Sequence, residues 1–132
     1  MKRSATPAEL KALPQWVCWR YEQPYKPGGK PRKVPYDPRT GKMASVTNSA
    51  DWTDFATATA LCRKEKYSGV GFVLTADDPF AVIDLDHCRD GVTGKIEPWA
   101  QIIIERFNTR TEISPSGTAN CPACEAGHSP VK

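Results

Sequence analysis

Two short apolar runs separated by a polar turn place the strongest constraint on the fold. The runs are SGVGFVLT at residues 68–75 and PFAVIDLD at residues 79–86, and ADD lies between them. Apolar runs of this length, bounded by turn-forming residues, are typical of buried strands. The sequence therefore predicts two neighbouring strands near the centre of a sheet, joined by a tight polar turn.

The rest of the chain alternates predicted helices with predicted strands. A short helix is predicted from Thr6 to Leu13, and a second helix begins at Thr53 as a cap candidate. A third helix is predicted at about 97–107, and the apolar stripe of this segment consists of Ile96, Trp99, Ile102, Ile103 and Phe107. QWVCWRYE at 15–22 and TRTEIS at 109–114 are predicted strands. The proline-rich arm at 30–42 predicts an edge strand, because proline cannot donate to a ladder. Trp16, Trp19, Trp52 and Trp99 are expected in the core.

Composition limits the class of protein without naming a function. The chain has 132 residues, which fits one compact domain, and a formal net charge of +3, which permits a polyanionic partner. No segment approaches the roughly 20 apolar residues of a membrane span, and the N-terminus has no apolar signal segment, so we expect a cytoplasmic protein. The five cysteines are odd in number and scattered, which favours free thiols or a metal site over disulfides.

Two acidic residues end the second apolar run. Asp84 and Asp86 are two positions apart, so on a strand they share a face while Leu85 points the other way. Adjacent carboxylates repel unless a positive charge lies between them, and paired carboxylates are the usual protein ligands of Mg²⁺ or Mn²⁺ at phosphate-binding sites. Simple solvation of both acids at a strand end explains the spacing equally well.

The order of the motifs carries a family resemblance. Trp16, then GKPRKVPYDPRTGK, DWTDF, GVGFVL, VIDLDHC and EISPSGT follow one another along about 100 residues. This succession resembles the N-terminal primase-polymerase domain of phage and plasmid replication proteins, in the archaeo-eukaryotic primase superfamily. The resemblance implies an α+β fold with a mixed or antiparallel sheet, packed helices and a catalytic core related to the RNA-recognition architecture.

The resemblance also implies roles for individual residues. Asp84 and Asp86 would be the catalytic carboxylates that hold Mg²⁺ or Mn²⁺ for nucleotidyl transfer. Ser114, Ser116 and Gly117 would bind the nucleotide phosphates, although an ordinary β-turn accounts for the same letters.

Three basic residues in the proline-rich arm fit the same picture. Lys33 would bind the incoming nucleotide, and Lys30 and Arg32 would bind the template through its phosphates. The alternative is that they are edge lysines that merely prevent aggregation.

The chain departs from the family pattern after SPSGT. Cys121 stands where the family has a nucleotide-contacting histidine, and the family's third acid has no counterpart, although Asp77, Asp78 and Asp90 are available substitutes. We therefore expect a primase-polymerase-like domain at 1–118 that is truncated, followed by a divergent tail at 119–132.

The tail contains a zinc half-site. Cys121, Cys124 and His128 have the spacing C-x-x-C-x-x-x-H, but a structural Zn²⁺ wants a fourth ligand. His87 or Cys88 could supply it; otherwise packing or a turn hydrogen bond is the expected role of His87. Unligated thiols in a frayed tail are the favoured alternative.

Two function classes follow. The first is a metal-dependent DNA primase-polymerase whose partners are nucleoside triphosphates, single-stranded or primed DNA and a replicative helicase. The second is a non-catalytic remnant that binds nucleotide, nucleic acid or a replication partner. A G-x-x-x-x-G-K-[ST] phosphate loop is missing from these residues, which argues against an ATPase or helicase in this piece.

Overall fold

The computed structural model describes residues 8–80, 82–108, 111–113 and 120–121. These residues fall into two compact units, one formed by Ala8–Asp77 and the other by the residues from Asp78 onward. The domain boundary predicted at residue 118 stays a prediction.

The first unit is built on a four-stranded antiparallel sheet. Its elements are helix α1 (Ala8–Lys11), strands β1 (Trp16–Glu22), β2 (Arg32–Asp37) and β3 (Lys42–Met43), a single 3₁₀ turn (Ser49–Asp51), helix α2 (Phe55–Lys64) and strand β4 (Gly69–Phe72). The strand order is β3-β2-β1-β4. Among the described residues β4 therefore lies at an edge of the sheet, and the central position predicted for its apolar run is wrong, because the run at 79–86 forms no strand that could pair with it. The α+β class and the antiparallel sheet predicted from the sequence are confirmed.

Helix α2 packs on the sheet through β1. Its N-cap is Asp54, one residue after the predicted Thr53, because the Asp54 carboxylate accepts the backbone N–H of Thr57 at 2.9 Å. At the start of the helix, Phe55 meets the ring of Trp16 edge-to-face with centroids 4.7 Å apart. One turn further on, the Cys18 thiol donates to the carbonyl of Ala58 at 3.3 Å.

Aromatic side chains from β1 form much of the core of this unit. Trp16 is fully buried between Phe55 and Phe72, and its indole N–H donates to the carbonyl of Leu10 at 3.0 Å. Trp19 and Trp52 are also buried, as the sequence predicted. Each large ring therefore contributes apolar area without leaving its N–H unpaired, since Trp19 donates to a β4 carbonyl and Trp52 to that of Ser45.

The proline-rich arm is an interior strand, so the predicted edge position is wrong. Strand β2 pairs with β1 on one side and with β3 on the other. Pro35 is tolerated because its carbonyl faces β3 and accepts the N–H of Ala44 at 3.0 Å, just beyond the two-residue ladder. Proline has no N–H to donate in return, but the ladder between β2 and β3 has already ended at this position, so no ladder hydrogen bond is lost.

A buried carboxylate holds the turn between β2 and β3. Asp37 is only 4% exposed and accepts the backbone N–H, Nε and Nη2 of Arg39 at 2.9–3.0 Å. Burial alone would raise the pKa of Asp37, but the hydrogen bonds and charge of Arg39 outweigh burial and hold the pKa below its ordinary value. This pair is structural.

The second unit has a smaller core around one helix. Helix α3 (Pro98–Phe107) agrees with the predicted span and has Pro98 in its first turn. Its inner face presents Ala100, Ile103 and Ile104, which pack with Leu85 and Cys88. Strands β5 (Glu112–Ile113) and β6 (Asn120–Cys121) pair antiparallel, and β5 lies within the predicted strand TRTEIS.

Two predictions for the second unit are wrong. Trp99 is 47% exposed, and Ile102 and Phe107 of the predicted apolar stripe are exposed as well, because the helix turns Ala100, Ile103 and Ile104 towards the core instead. The predicted strand at 79–86 is replaced, over its described residues, by isolated bridge residues and a turn. Leu85 is buried while Asp84 and Asp86 are exposed, which agrees with the predicted alternation of faces, but such an alternation does not ensure ladder pairing.

No helix in the described part of the chain is long and apolar enough to cross a membrane.

Candidate functional site

The two predicted catalytic aspartates lie on either side of a buried anchor. Leu85 is buried in the core of the second unit, whereas Asp84 and Asp86 are both exposed. The backbone therefore alternates as the sequence predicted, although it does so outside a regular strand. Both carboxylates lie on the solvent side of the segment that carries them.

A tight turn fixes the backbone immediately after the aspartates. Cys88 is fully buried, and its thiol donates to the carbonyl of Leu85 at 3.2 Å. Between these two anchors, His87 adopts a left-handed backbone conformation with φ of 53° and is exposed. The backbone N–H of Glu97, next to α3, also donates to the carbonyl of Cys88 at 2.8 Å. The acidic segment is thus tied to the core on its C-terminal side.

Asp90 is already engaged in a second turn. Its Oδ1 accepts the backbone N–H groups of Val92 and Thr93 at 2.8 and 2.9 Å. These hydrogen bonds, the one from Thr93 first, lower the pKa of Asp90. Of the three substitutes considered for the family's third acid, Asp90 therefore has a structural role of its own.

Asp84 and Asp86 suit a hard divalent cation in their donor chemistry. Carboxylate oxygens are the ligands that Mg²⁺ and Mn²⁺ prefer, and such sites commonly complete their shell with water and substrate phosphates. Within the described ranges, no group of three or more histidine, cysteine, aspartate or glutamate side chains could hold a metal ion. The metal assignment of the pair stays a prediction.

Several predicted site residues lie outside the described residues. These are Ser114, Ser116 and Gly117 of the predicted phosphate-binding segment, and Cys124 and His128 of the predicted zinc half-site. The backbone of Cys121 lies on β6 opposite Glu112. The zinc site stays a prediction, and so does the correspondence of Cys121 to the family's histidine.

The three predicted basic residues lie together in the first unit, at one end of the sheet. Lys30 is in the loop between β1 and β2, and Arg32 and Lys33 begin β2. Lys30 and Lys33 are exposed, and the Lys33 ammonium lies 5.0 Å from the centre of the Trp19 ring. Tyr36, near the basic residues in sequence, pairs instead with Arg20 and donates its hydroxyl to Glu22.

The structure adds an aromatic residue that the sequence reasoning missed. Tyr25, in the loop after β1, is 86% exposed, and the Arg32 guanidinium carbon lies 3.8 Å from the centre of its ring. The Nε of Arg32 donates to the carbonyl of Gln23 at 3.0 Å, which holds the guanidinium in place. The signal in the sequence was an aromatic residue between two prolines in an otherwise basic loop.

Comparison with known proteins gives this geometry a family context. No family model matches the sequence. Over 108 residues the chain is 40% identical to a DNA primase-polymerase from Nitratiruptor phage NrS-1, an alignment that covers 82% of this chain and 14% of that protein. The chain thus corresponds to a small part of its much longer relative. The resemblance predicted from the order of the motifs is confirmed, and the chain belongs to the primase-polymerase family.

Proposed function

We propose that this chain is the aspartate-bearing part of a DNA primase-polymerase that carries out template-directed nucleotidyl transfer in phage or plasmid replication. The observation that carries the proposal is the exposed pair Asp84 and Asp86 on either side of buried Leu85. It occurs in a chain 40% identical over 108 residues to a DNA primase-polymerase.

Asp84 and Asp86 would hold one or two Mg²⁺ or Mn²⁺ ions. When bound, such ions neutralise the triphosphate and make the 3′-hydroxyl of a primer easier to deprotonate. The chain itself contributes two carboxylates whose backbone is set by the buried side chains of Leu85 and Cys88. Because these anchors are apolar and packed, they fix the position of the carboxylates without competing for the cation.

The partners follow from this chemistry. Nucleoside triphosphates and single-stranded or primed DNA would be the substrates, and Lys30, Arg32 and Lys33 would attract their phosphates. A replicative helicase is the protein partner that the family predicts.

The second candidate function is binding without turnover. It is favoured by Cys121 at the position expected for the family's histidine, because a thiol does not offer the donor and acceptor nitrogens of an imidazole.

The test is primer synthesis and extension on single-stranded DNA with labelled nucleotides and either Mg²⁺ or Mn²⁺. We expect the combined variant Asp84→Asn, Asp86→Asn to lose about a thousandfold or more of the native rate, since metal ions supply several kcal/mol of transition-state stabilisation.

Glu105→Gln is the matched control. Glu105 is an exposed carboxylate on α3 of the same unit, and glutamine can still accept the hydrogen bond from Gln101. This variant should stay within about twofold of the native rate. Native activity that survives loss of both aspartates would refute the catalytic assignment. A native chain that binds nucleotide only with metal, yet makes no product, would establish the binding function instead.

A further inference from the structure

The positive charge of the chain is concentrated in one hairpin. We call residues 21–33, which comprise the end of β1, the loop and the start of β2, the basic hairpin. It contains four basic residues, Lys26, Lys30, Arg32 and Lys33, and one acidic residue, Glu22. Because the net charge of the whole chain is +3, the acidic and basic residues outside the hairpin balance. The basic hairpin therefore carries a net charge equal to that of the whole chain, which favours a polyanion at this surface.

The tip of the basic hairpin has a defined backbone. The N–H of Gly29 donates to the carbonyl of Lys26 at 3.1 Å, with Pro27 and Gly28 between them. Gly28 has a φ of 77°, and proline followed by a glycine with positive φ is the arrangement of a type II turn. Pro24 and Pro27 fix their own φ angles, and they restrict the residues that precede them, Gln23 and Lys26, to extended backbone. The loop is thus held in shape although it is exposed.

This shaped loop presents an aromatic ring to solvent. Tyr25 is 86% exposed, and the Arg32 guanidinium lies against its ring. Since the Nε of Arg32 also donates to Gln23, the arginine holds the ring from one side while most of the ring surface stays accessible. An exposed ring packed against a guanidinium, in a loop that also carries the exposed Lys26 and Lys30, has the two features that single-stranded nucleic acid requires, a stacking surface and cationic groups.

We propose that the basic hairpin is a docking site for single-stranded DNA, in which Tyr25 stacks on an unpaired base while Lys26 and Lys30 pair with flanking phosphates. This inference rests on the proposed function, because it assigns the template to a particular surface. A duplex is a poorer fit, since its bases are already stacked on one another. A free nucleotide would engage the ring without the flanking phosphates.

The test is fluorescence anisotropy of a labelled oligothymidylate, titrated with the intact chain in EDTA over a series of salt concentrations. We expect Tyr25→Leu to weaken binding about tenfold and to leave the slope of log K against log salt unchanged, because the variant removes no charge. Tyr25→Phe, which keeps the ring, should restore most of the affinity. Lys30→Gln should instead reduce the magnitude of the slope by about 0.7.

Phe107→Leu is the matched control. Phe107 is a 58% exposed ring on α3 of the second unit, so its loss removes a comparable aromatic surface outside the basic hairpin. Affinity for oligothymidylate should not change. A duplex of the same length tests the stacking step, because Tyr25→Leu should leave duplex binding intact.

Each remaining outcome overturns the inference. The native chain would then fail to bind oligothymidylate, or Tyr25→Leu would bind it with native affinity. The inference is equally overturned if Tyr25→Leu weakens binding to single strands and duplex by the same factor, or weakens only the binding of free nucleotide. Because EDTA removes the metal, the result is independent of catalysis. A chain that docks DNA through Tyr25 but makes no product supports this inference and refutes the catalytic function. A chain that makes product but binds DNA equally well without the Tyr25 ring supports the catalytic function and refutes this inference.

Discussion

Two turns of this protein present aspartates and use them in opposite ways. In the turn between β2 and β3, Asp37 is buried and receives three hydrogen bonds from Arg39. In the segment from Asp84 to Cys88, the buried residues are Leu85 and Cys88, and the aspartates are exposed. A carboxylate buried against an arginine stabilises the fold, whereas Asp84 and Asp86 lie at the surface, where a cation can reach them. All three residues are aspartates, so it is burial of the carboxylate that distinguishes the structural role of Asp37 from the proposed cation-binding role of Asp84 and Asp86.

This comparison predicts that stability depends most on the interior of the first unit. Trp16→Ala should lower the free energy of unfolding by about 4 kcal/mol, since the ring is fully buried against Phe55 and Phe72. Urea denaturation followed by far-UV circular dichroism measures the change. A loss below about 1 kcal/mol would show that the neighbouring rings collapse into the space and that the core is less tightly packed than described.

Asp37→Asn should have the next largest effect. Asparagine keeps one acceptor but places an amide N–H₂ against the Nη2 of Arg39, so we expect a loss of about 2 kcal/mol at neutral pH. Because the pKa of Asp37 is lowered in the folded chain, its contribution is complete above the unfolded pKa of about 3.9 and disappears as pH falls through the lower folded value. Urea midpoints of native and variant chains should converge below about pH 4. A difference that stays constant down to acid pH would contradict a role for the ionised carboxylate.

The N-cap of α2 should contribute least of the three. Asp54 accepts hydrogen bonds from both the backbone N–H and the hydroxyl of Thr57, which lowers its pKa. Asp54→Ala should lower the free energy of unfolding by about 1 kcal/mol, and Asp54→Ser, which can still cap the helix, should recover most of it. Equal losses in both variants would mean that charge, not capping, is what Asp54 supplies.

Local patterns in the sequence predicted much of the fold. Strand β1, helix α2, strand β4 and helix α3 follow from aromatic and β-branched content, helical spacing and caps, all of which act over a few residues. The edge position of β2 and the burial of Trp99 were wrong because each depends on which element lies alongside. The stripe on α3 was too broad for the sequence alone to decide between Trp99 and Ala100.

In the candidate site too, features set by a few neighbouring residues could be predicted, and features set by contacts between more distant residues could not. The spacing of Asp84 and Asp86 was sufficient to predict that Leu85 points away from both acids, and Leu85 is buried while the acids are exposed. The stack of Arg32 on Tyr25 was not predictable, because it depends on a turn that brings together two residues seven positions apart. Neither could the sequence show that Asp90 is engaged by the N–H groups of Val92 and Thr93.

The most direct test of the central claim compares the two kinds of aspartate in one experiment. The free energy of unfolding is measured for the native chain, for Asp84→Asn with Asp86→Asn, and for Asp37→Asn, each with and without Mn²⁺ and a nucleoside triphosphate. We predict that the double variant keeps native stability within about 0.5 kcal/mol but loses the stabilisation that metal and nucleotide together give the native chain. Asp37→Asn should be less stable but should keep that stabilisation. A double variant that still gains stability from metal and nucleotide would contradict the assignment of Asp84 and Asp86 as the cation-binding pair.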